Sequence, residues 1–268
     1  MTFDAIAAEY DSSFAEQRLG RMLRALVWEQ LDTLFLPGMR VLDLGCGSGA
    51  DALHLARRGL HVTALDASAE MVALTQCKAE VAGLAAHIAA HCVDLAQIAS
   101  EPRTKNQEPL VESAKQGFDG ALSNFGALNC LPDRRGLAQE LAQLIRPGGK
   151  LALVLIGACC PWEIGWHLLR GEPAKALRRR DNTTAHIGHG ATVRVWYPSP
   201  TQLCSEFAPW FRPLALRGVG VLLPPSYLAP LVAHYPRYFE VLAGIERGIA
   251  WRATNWSDHY LLILEKCL

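Results

Sequence analysis

Residues 41 to 49 read Val-Leu-Asp-Leu-Gly-Cys-Gly-Ser-Gly, a run that suits a buried strand ending in a sharp turn and little else. Val41, Leu42 and Leu44 form an apolar stretch fit for a parallel strand covered on both faces. Gly45, Gly47 and Gly49 then make a turn almost without side chains, so anything lying on it meets bare backbone. Leu53, Ala56 and Arg57 follow at helical spacing within Ala50 to Arg58, and Gly59 is placed to stop that helix. Strand, glycine turn and helix in this order predict an α/β chain built on parallel strands.

Such a turn serves several nucleotide cofactors, and its spacing separates them. The dinucleotide pattern G-x-G-x-x-G is missed by one residue, because the glycines fall at 45, 47 and 49. Asp43 precedes the first glycine by two residues, where a carboxylate would repel a pyrophosphate and accept hydrogen bonds from a cation. Both features point away from NAD and toward a positively charged cofactor.

With these residues the segment resembles motif I of the class I S-adenosylmethionine-dependent methyltransferases, and the resemblance continues at that family's spacings. His61 to Leu65 read as a second strand ending at Asp66, with Ala67 beside it. The resemblance implies that Asp66 chelates the ribose hydroxyls, a role that suits a carboxylate able to accept two hydrogen bonds at once. Ser68 reads as an N-cap, and Met71 falls where the family sets an apolar side chain on the adenine. Cys92-Val93-Asp94-Leu95 matches the third-strand motif whose aspartate takes the adenine amino group. Phe118 to Phe125 is the expected fourth strand, and Ile145-Arg146-Pro147-Gly148-Gly149-Lys150 leads into a fifth, Leu151 to Ile156. Near the start, Phe3, Ala7, Tyr10 and Asp11 resemble the lid of the small-molecule branch, which implies that Tyr10 covers the cofactor. Asn124 and Phe125 would lie near the methionine moiety, and Gly45, Gly47 and Asp43 would complete the cofactor site.

The implied fold is a Rossmann-like, seven-stranded, mostly parallel sheet flanked by helices, with helical insertions after strands five and six. A chain of 268 residues, 50% of them apolar, can bury a large core, and a single domain over 1–268 is the expectation. Its parts would be a lid and helix (1–36), a cofactor core (37–156), an acceptor-pocket insertion (157–197) and C-terminal strands and helices (198–268). Lys plus Arg and Asp plus Glu number 26 each, which gives no global field to gather nucleic acid or an anionic membrane. The eight cysteines are scattered without paired metal spacing, so reduced thiols, a cytoplasmic location and no metal are expected. No apolar run approaches the roughly 18 residues that a membrane span needs.

Leu19, Met22, Leu23, Leu26, Val27, Leu31 and Leu34 recur at three and four residues and predict a helix from about Ala15 to Leu34 that packs on the sheet. Residues 99 to 117, polar with two prolines, predict a solvated loop. The insertion 157–197 follows the fifth strand, and strand C-termini in open α/β sheets face the ligand crevice. Its Pro161 to Arg180 reads as a helix, with Trp162 and Trp166 as candidate pocket residues together with Asn129. Arg178-Arg179-Arg180 has two readings, a cationic helix C-terminus or a site for an anionic substrate. His186 and His189 are the candidates for a general base, as imidazole titrates near neutrality. Beyond the strand-like Thr192 to Tyr197, Ser199-Pro200-Thr201-Gln202 predicts a capped helix to Ala208. Phe211 to Val219 predicts a sixth strand, Ser226 to Trp251 helix broken at Pro236, and His259 to Glu265 the last strand.

The function implied is methyl transfer from S-adenosylmethionine to an O or N atom of a small-molecule acceptor by in-line attack. Such catalysis rests largely on alignment and desolvation, so no strong catalytic motif is required. The alternatives are an RNA or protein methyltransferase, a thiol-based arsenic methyltransferase suggested by Cys46 and Cys159-Cys160, and a non-catalytic S-adenosylmethionine-binding protein. The Asn/Asp-Pro-Pro-Tyr motif of DNA and protein-amide enzymes is absent after the fourth strand.

Overall fold

The computed structural model describes residues 3–4, 17–98, 117–180, 183–188 and 190–268. Among the described residues the first long helix, α1 (Arg18–Leu34), turns Leu19, Leu23, Val27 and Leu31 inward, all at 0–1% exposure, as the three-and-four spacing predicts. Then come β1 (Arg40–Leu44), α2 (Ala50–Arg57), β2 (His61–Asp66), α3 (Ala69–Val81), β3 (Ile88–Cys92), the single turn α4 (Leu95–Ile98), β4 (Phe118–Ser123), α5 (Arg135–Leu144) and β5 (Ile145–Ile156). The chain continues through α6 (Pro161–Leu169), α7 (Pro173–Ala176), the hairpin strands β6 (Thr183–Gly188) and β7 (Ala191–Val195), and α8 (Pro200–Phe207). It ends with β8 (Phe211–Val219), α9 (Ala229–His234), α10 (Pro236–Ile249) and β9 (His259–Lys266).

The main sheet has seven strands in the order β3-β2-β1-β4-β5-β9-β8. β1 to β5 pair in parallel, and β9 runs antiparallel to both β5 and β8. Side chains alternate across it. Val41, Ala152, Val154, Leu261 and Ile263 join the core under α1, while Leu42, Leu44, Leu151, Leu153, Leu155, Leu262 and Leu264 join the core on the other face. The order in which strands are added to the sheet reverses between β1 and β4, and a crevice opens at such a point beyond the strand C-termini. Among the described residues no helix is long and apolar enough to cross a membrane.

Two expectations need correction. Pro161 to Arg180 is not one helix: Gly171 takes φ +71° after α6, the left-handed stop that glycine reaches without strain, and Pro173 opens α7. The insertion is also not wholly helical, because Thr183–Gly188 supplies an antiparallel partner to the strand read near 192. The arginine run caps no long helix. Arg178 and Arg179 both donate to the buried Glu163, and Arg179 donates to the Asp258 carboxylate at 2.6 Å. The Ser199 hydroxyl accepts from the Gln202 amide at 3.1 Å, so the cap on α8 forms as read. Pro236 separates α9 from α10.

Candidate active site

The glycine turn is shaped by contacts that leave no room for side chains. Gly45 takes φ +78°, and a Cβ there would stand 2.2 Å from the Ala127 Cβ. Gly49 also has φ +78°, and a Cβ would meet Thr75 at 2.7 Å. The Gly45 and Cys46 amides donate to the Leu65 carbonyl at 2.8 and 2.9 Å, which ties the turn to the end of β2. Asp66 completes the link: one carboxylate oxygen accepts from the Gly47 amide at 2.8 Å and the other from the Ser68 amide at 2.9 Å. Ser68 in turn caps α3, its hydroxyl accepting from the Met71 amide at 3.2 Å.

A cavity of about 450 Å³ opens over this turn. One end is walled by Gly45, Gly47, Asp66, Ala67, Met71, Asp94 and Leu95, which the sequence placed in the cofactor site. Asn124 and Phe125 line its middle. The far end is apolar and is made by Cys130, Leu131, Ile156, Ala185, Val193 and Val195. Phe3 also touches the cavity, while Tyr10, Ala7, Asp11 and the rest of the lid segment lie outside the described residues. Asp66 and Asp94 are the charged side chains on the described wall, so the field there favours a cation and opposes a pyrophosphate. Burial raises the pKa of Asp66 above the usual carboxylate value, and its backbone hydrogen bonds offset only part of that rise.

Asn124 carries a sharper sign of what the cavity holds. Its amide nitrogen donates to Asp51 at 3.1 Å, and Asp51 also accepts from Arg24 and from the Trp28 ring at 2.7 Å. A carboxylate can only accept, so this network fixes the amide with its nitrogen toward Asp51. The Asn124 carbonyl oxygen is buried and has no partner in the protein. An orphaned acceptor in a residue that lines the cavity fits the ammonium of a methionine moiety. Phe125 adopts φ +48°, a costly conformation for an aromatic residue. Its ring sits between the Arg24 guanidinium, 5.1 Å from the centroid, and the edge-on His259 ring at 5.2 Å.

Other residues picked from the sequence lie elsewhere. Asp43 is 1% exposed beneath the turn, off the cavity wall, and neither of its oxygens makes a well-formed hydrogen bond. Burial first, and the neighbouring Asp51 second, raise its pKa well above the usual carboxylate range. Asn129 is fully buried and its side chain is saturated: it accepts from the Ile156 amide at 2.9 Å and donates to the carbonyls of Ile156 and Trp196 at 3.2 and 2.7 Å. It fastens the β7 end to β5 and does not line the cavity. Trp162 packs against the α1-side core near Phe239 and donates to the Leu222 carbonyl at 2.9 Å. Trp166 lies under Arg170, 5.3 Å from its ring centroid, and is likewise off the wall. The His186 backbone pairs with Thr192 in the hairpin, and His189 lies outside the described residues. Among the described residues no cluster of His, Cys, Asp and Glu could hold a metal.

The apolar far wall was missed. Ala185, Val193 and Val195 alternate along the hairpin, and only the β7 half of that alternation shows in the sequence. Cys130 closes this end with a thiol that burial pushes up to about 11, neutral at physiological pH.

Residues 41–149 match a family model described as a methyltransferase domain. Over 200 residues the chain is 28% identical to a demethylmenaquinone methyltransferase of Renibacterium salmoninarum, an alignment spanning 72% of this chain and 75% of that protein. Over 161 residues it is 29% identical to the tRNA 5-carboxymethoxyuridine methyltransferase of Escherichia coli K12, spanning 58% of this chain and 56% of the relative. The solved DhpI–SAH complex shares the fold, with a TM-score of 0.59 at 17% identity over 99% of this chain and 93% of that one. The matched domain, the methyltransferase relatives and the shared fold together support a class I S-adenosylmethionine-dependent methyltransferase, with residues 41–149 as its methyltransferase domain.

Proposed function

We propose that the chain transfers the methyl group of S-adenosylmethionine to an O or N atom of a small, largely apolar molecule held under the β6–β7 hairpin. The observation that carries this reading is the continuity of one cavity from Asp66 and the glycine turn to the apolar end at Ile156, Val193 and Val195. About 450 Å³ holds the reacting part of the cofactor and a small acceptor, with the hairpin across one side. The relative named for demethylmenaquinone supports a small, apolar acceptor without bearing on the attacking atom, and the one named for a tRNA nucleotide marks the alternative.

In this reading Asp66 takes the ribose hydroxyls with the lone pairs left over from Gly47 and Ser68, and Ala67 lies against the sugar. Met71 and Leu95 cover the adenine, and Asp94 accepts its amino group. The Asn124 carbonyl and the bare backbone at Gly45 and Gly47 receive the methionine end, beside Phe125, with Tyr10 as a cover from the lid. When bound, the cofactor supplies an electrophilic methyl group on a sulfonium, open to in-line attack by a lone pair. The chain's own part is alignment: Phe125 and Ile156 set the acceptor's approach, and the apolar hairpin excludes water that would solvate the nucleophile.

Incubation with isotopically labelled methyl donor and cell extract, followed by separation into metabolite, RNA and protein fractions, tests this directly. Label in the metabolite fraction is expected. Label confined to RNA or protein would overturn the reading.

A further inference from the structure

The hairpin beside the cavity has two unlike sides. β6 and β7 form a two-stranded sheet of their own, with Ala185 opposite Val193 and Thr183 opposite Val195. Residues directly opposite in an antiparallel pair leave the sheet on the same side, and alternate residues along a strand share that side. Ala185, Val193 and Val195 all line the cavity, so this side looks inward. Thr184, Thr192 and Arg194, one step along each strand, are exposed on the other side. None of the three inward residues joins either core of the main sheet. What they face is the cavity.

A two-stranded hairpin is marginally stable in water at best, and its apolar side needs something to pack on. Its outgoing end is anchored. The Trp196 amide donates to the Asn129 carbonyl at 2.8 Å, and the Asn129 side chain donates back to the Trp196 carbonyl at 2.7 Å. At this end the Thr183 and Tyr197 hydroxyls lie 3.2 Å apart, and Val195 is 5% exposed. One pair further out, Ala185 and Val193 are only half-buried. The wall they continue offers hydrocarbon: Leu131 and Ile156 are apolar, and the Cys130 thiol is neutral and donates to the Gly126 carbonyl at 3.7 Å. A polar group placed against these side chains would lose its water without gaining a partner. A hydrocarbon group gains contact there and supplies the hairpin with packing. Ala185 is the smallest side chain at this end, so the room at the outer pair is set by its methyl group.

We propose that the acceptor carries a hydrocarbon arm that packs on the inward side of the hairpin, and that Ala185 is the residue that limits the size of that arm. The proposal rests on the small-molecule reading and deepens it: the acceptor has its attacking heteroatom at the end near Phe125 and an apolar extension toward β6 and β7. A larger side chain at 185 takes the place of the arm and leaves the cofactor end, lined by Asp66 and the glycine turn, as it was.

A homologous series of para-alkylphenols, ethyl to hexyl, tests this by calorimetry on the whole chain saturated with S-adenosylhomocysteine. Wild-type affinity should rise by about fourfold per methylene, the worth of a buried CH2 group, and level off where the arm fills the space. Ala185→Leu should reach that plateau at a shorter arm and bind the longest homologues about tenfold or more weakly, the effect of overpacking. Val193→Ala should extend the rise to longer arms. Thr184→Leu adds hydrocarbon on the exposed side and should keep the wild-type profile. S-adenosylhomocysteine affinity should be the same in all four proteins, which also shows that each is folded. A plateau unmoved by Ala185→Leu, or moved equally by Thr184→Leu, overturns the assignment of Ala185 and leaves the small-molecule reading standing. Homologues that fail to bind the wild type, or bind it without regard to arm length, overturn the apolar acceptor end and the reading on which it rests.

Discussion

Two carboxylates serve one glycine turn and do opposite things. Asp66 spends part of its acceptor capacity on the Gly47 and Ser68 amides and keeps the rest toward the cavity, so its charge is solvated by the fold. Asp66→Asn keeps the volume and removes the charge, and it should weaken S-adenosylmethionine binding by about 10- to 100-fold, the worth of a charge-assisted hydrogen bond. Calorimetry checks this, and unchanged affinity in a folded variant would rule out the ribose role. Asp43 is buried with less relief: Arg24 and the Ala52 backbone lower its pKa, but burial and Asp51 outweigh them. Its folded pKa is raised, so the folded state holds the proton more tightly than the unfolded chain does. Stability from this group is therefore full below the ordinary carboxylate range and is lost as pH rises from there through the raised folded value. Asp43→Asn should flatten that decline and, above it, raise unfolding free energy by about 1–3 kcal/mol in urea titrations. Parallel stability–pH curves for the two proteins would show that Asp43 carries no such penalty. The motif's residue types and order were legible in the sequence. That Asp43 lies beneath the wall was not, because it depends on how deeply β1 is covered by α1 and α2.

At the scale of elements, the insertion after β5 divides its labour differently from the reading of its sequence. Two tryptophans on a predicted helix suit a pocket or a core equally well, and only tertiary packing decides. Trp162 meets the α1-side core and holds the 220–223 turn, which Glu246 fixes by accepting from four successive amides, Gly220 to Leu223. Trp162→Ala should accordingly lower stability by about 2–4 kcal/mol and leave acceptor selectivity unchanged once the protein is folded. The hairpin has the reverse profile. Asn129 ties it to β5, and Asn129→Ala leaves the Ile156 and Trp196 backbone groups without these partners. That variant should raise amide exchange across 191–195 and slow methyl transfer, with cofactor affinity little changed. Exchange rates equal to wild type would mean that other contacts hold the hairpin. Elements with strong local signals matched their expected bounds closely, as at Phe211–Val219 and at the Ser199 cap. The strand Thr183–Gly188 did not show, since its partner, not its own pattern, makes it a strand.

The whole molecule carries no formal net charge, with 26 basic and 26 acidic residues. That neutrality was plain from composition and bears on the acceptor question in a way that no single residue does. An enzyme that gathers RNA neutralises phosphates and releases counterions, so its affinity falls by about 10³ or more between 50 and 200 mM salt when six or more contacts form. A small apolar acceptor in the cavity beneath the hairpin is driven by desolvation and depends little on screening. The cofactor end is acidic through Asp66 and Asp94, and its short-range contacts with a bound cation lie well inside the Debye length of about 8 Å at physiological salt. Methyl incorporation into the metabolite fraction should therefore change by less than about twofold over that salt range. Measuring initial rates at matched donor saturation isolates the acceptor step. A fall of a hundredfold or more, accompanied by label moving into RNA, would show that local basic residues outweigh the neutral total and that the tRNA-modifying relative is the better guide to the acceptor.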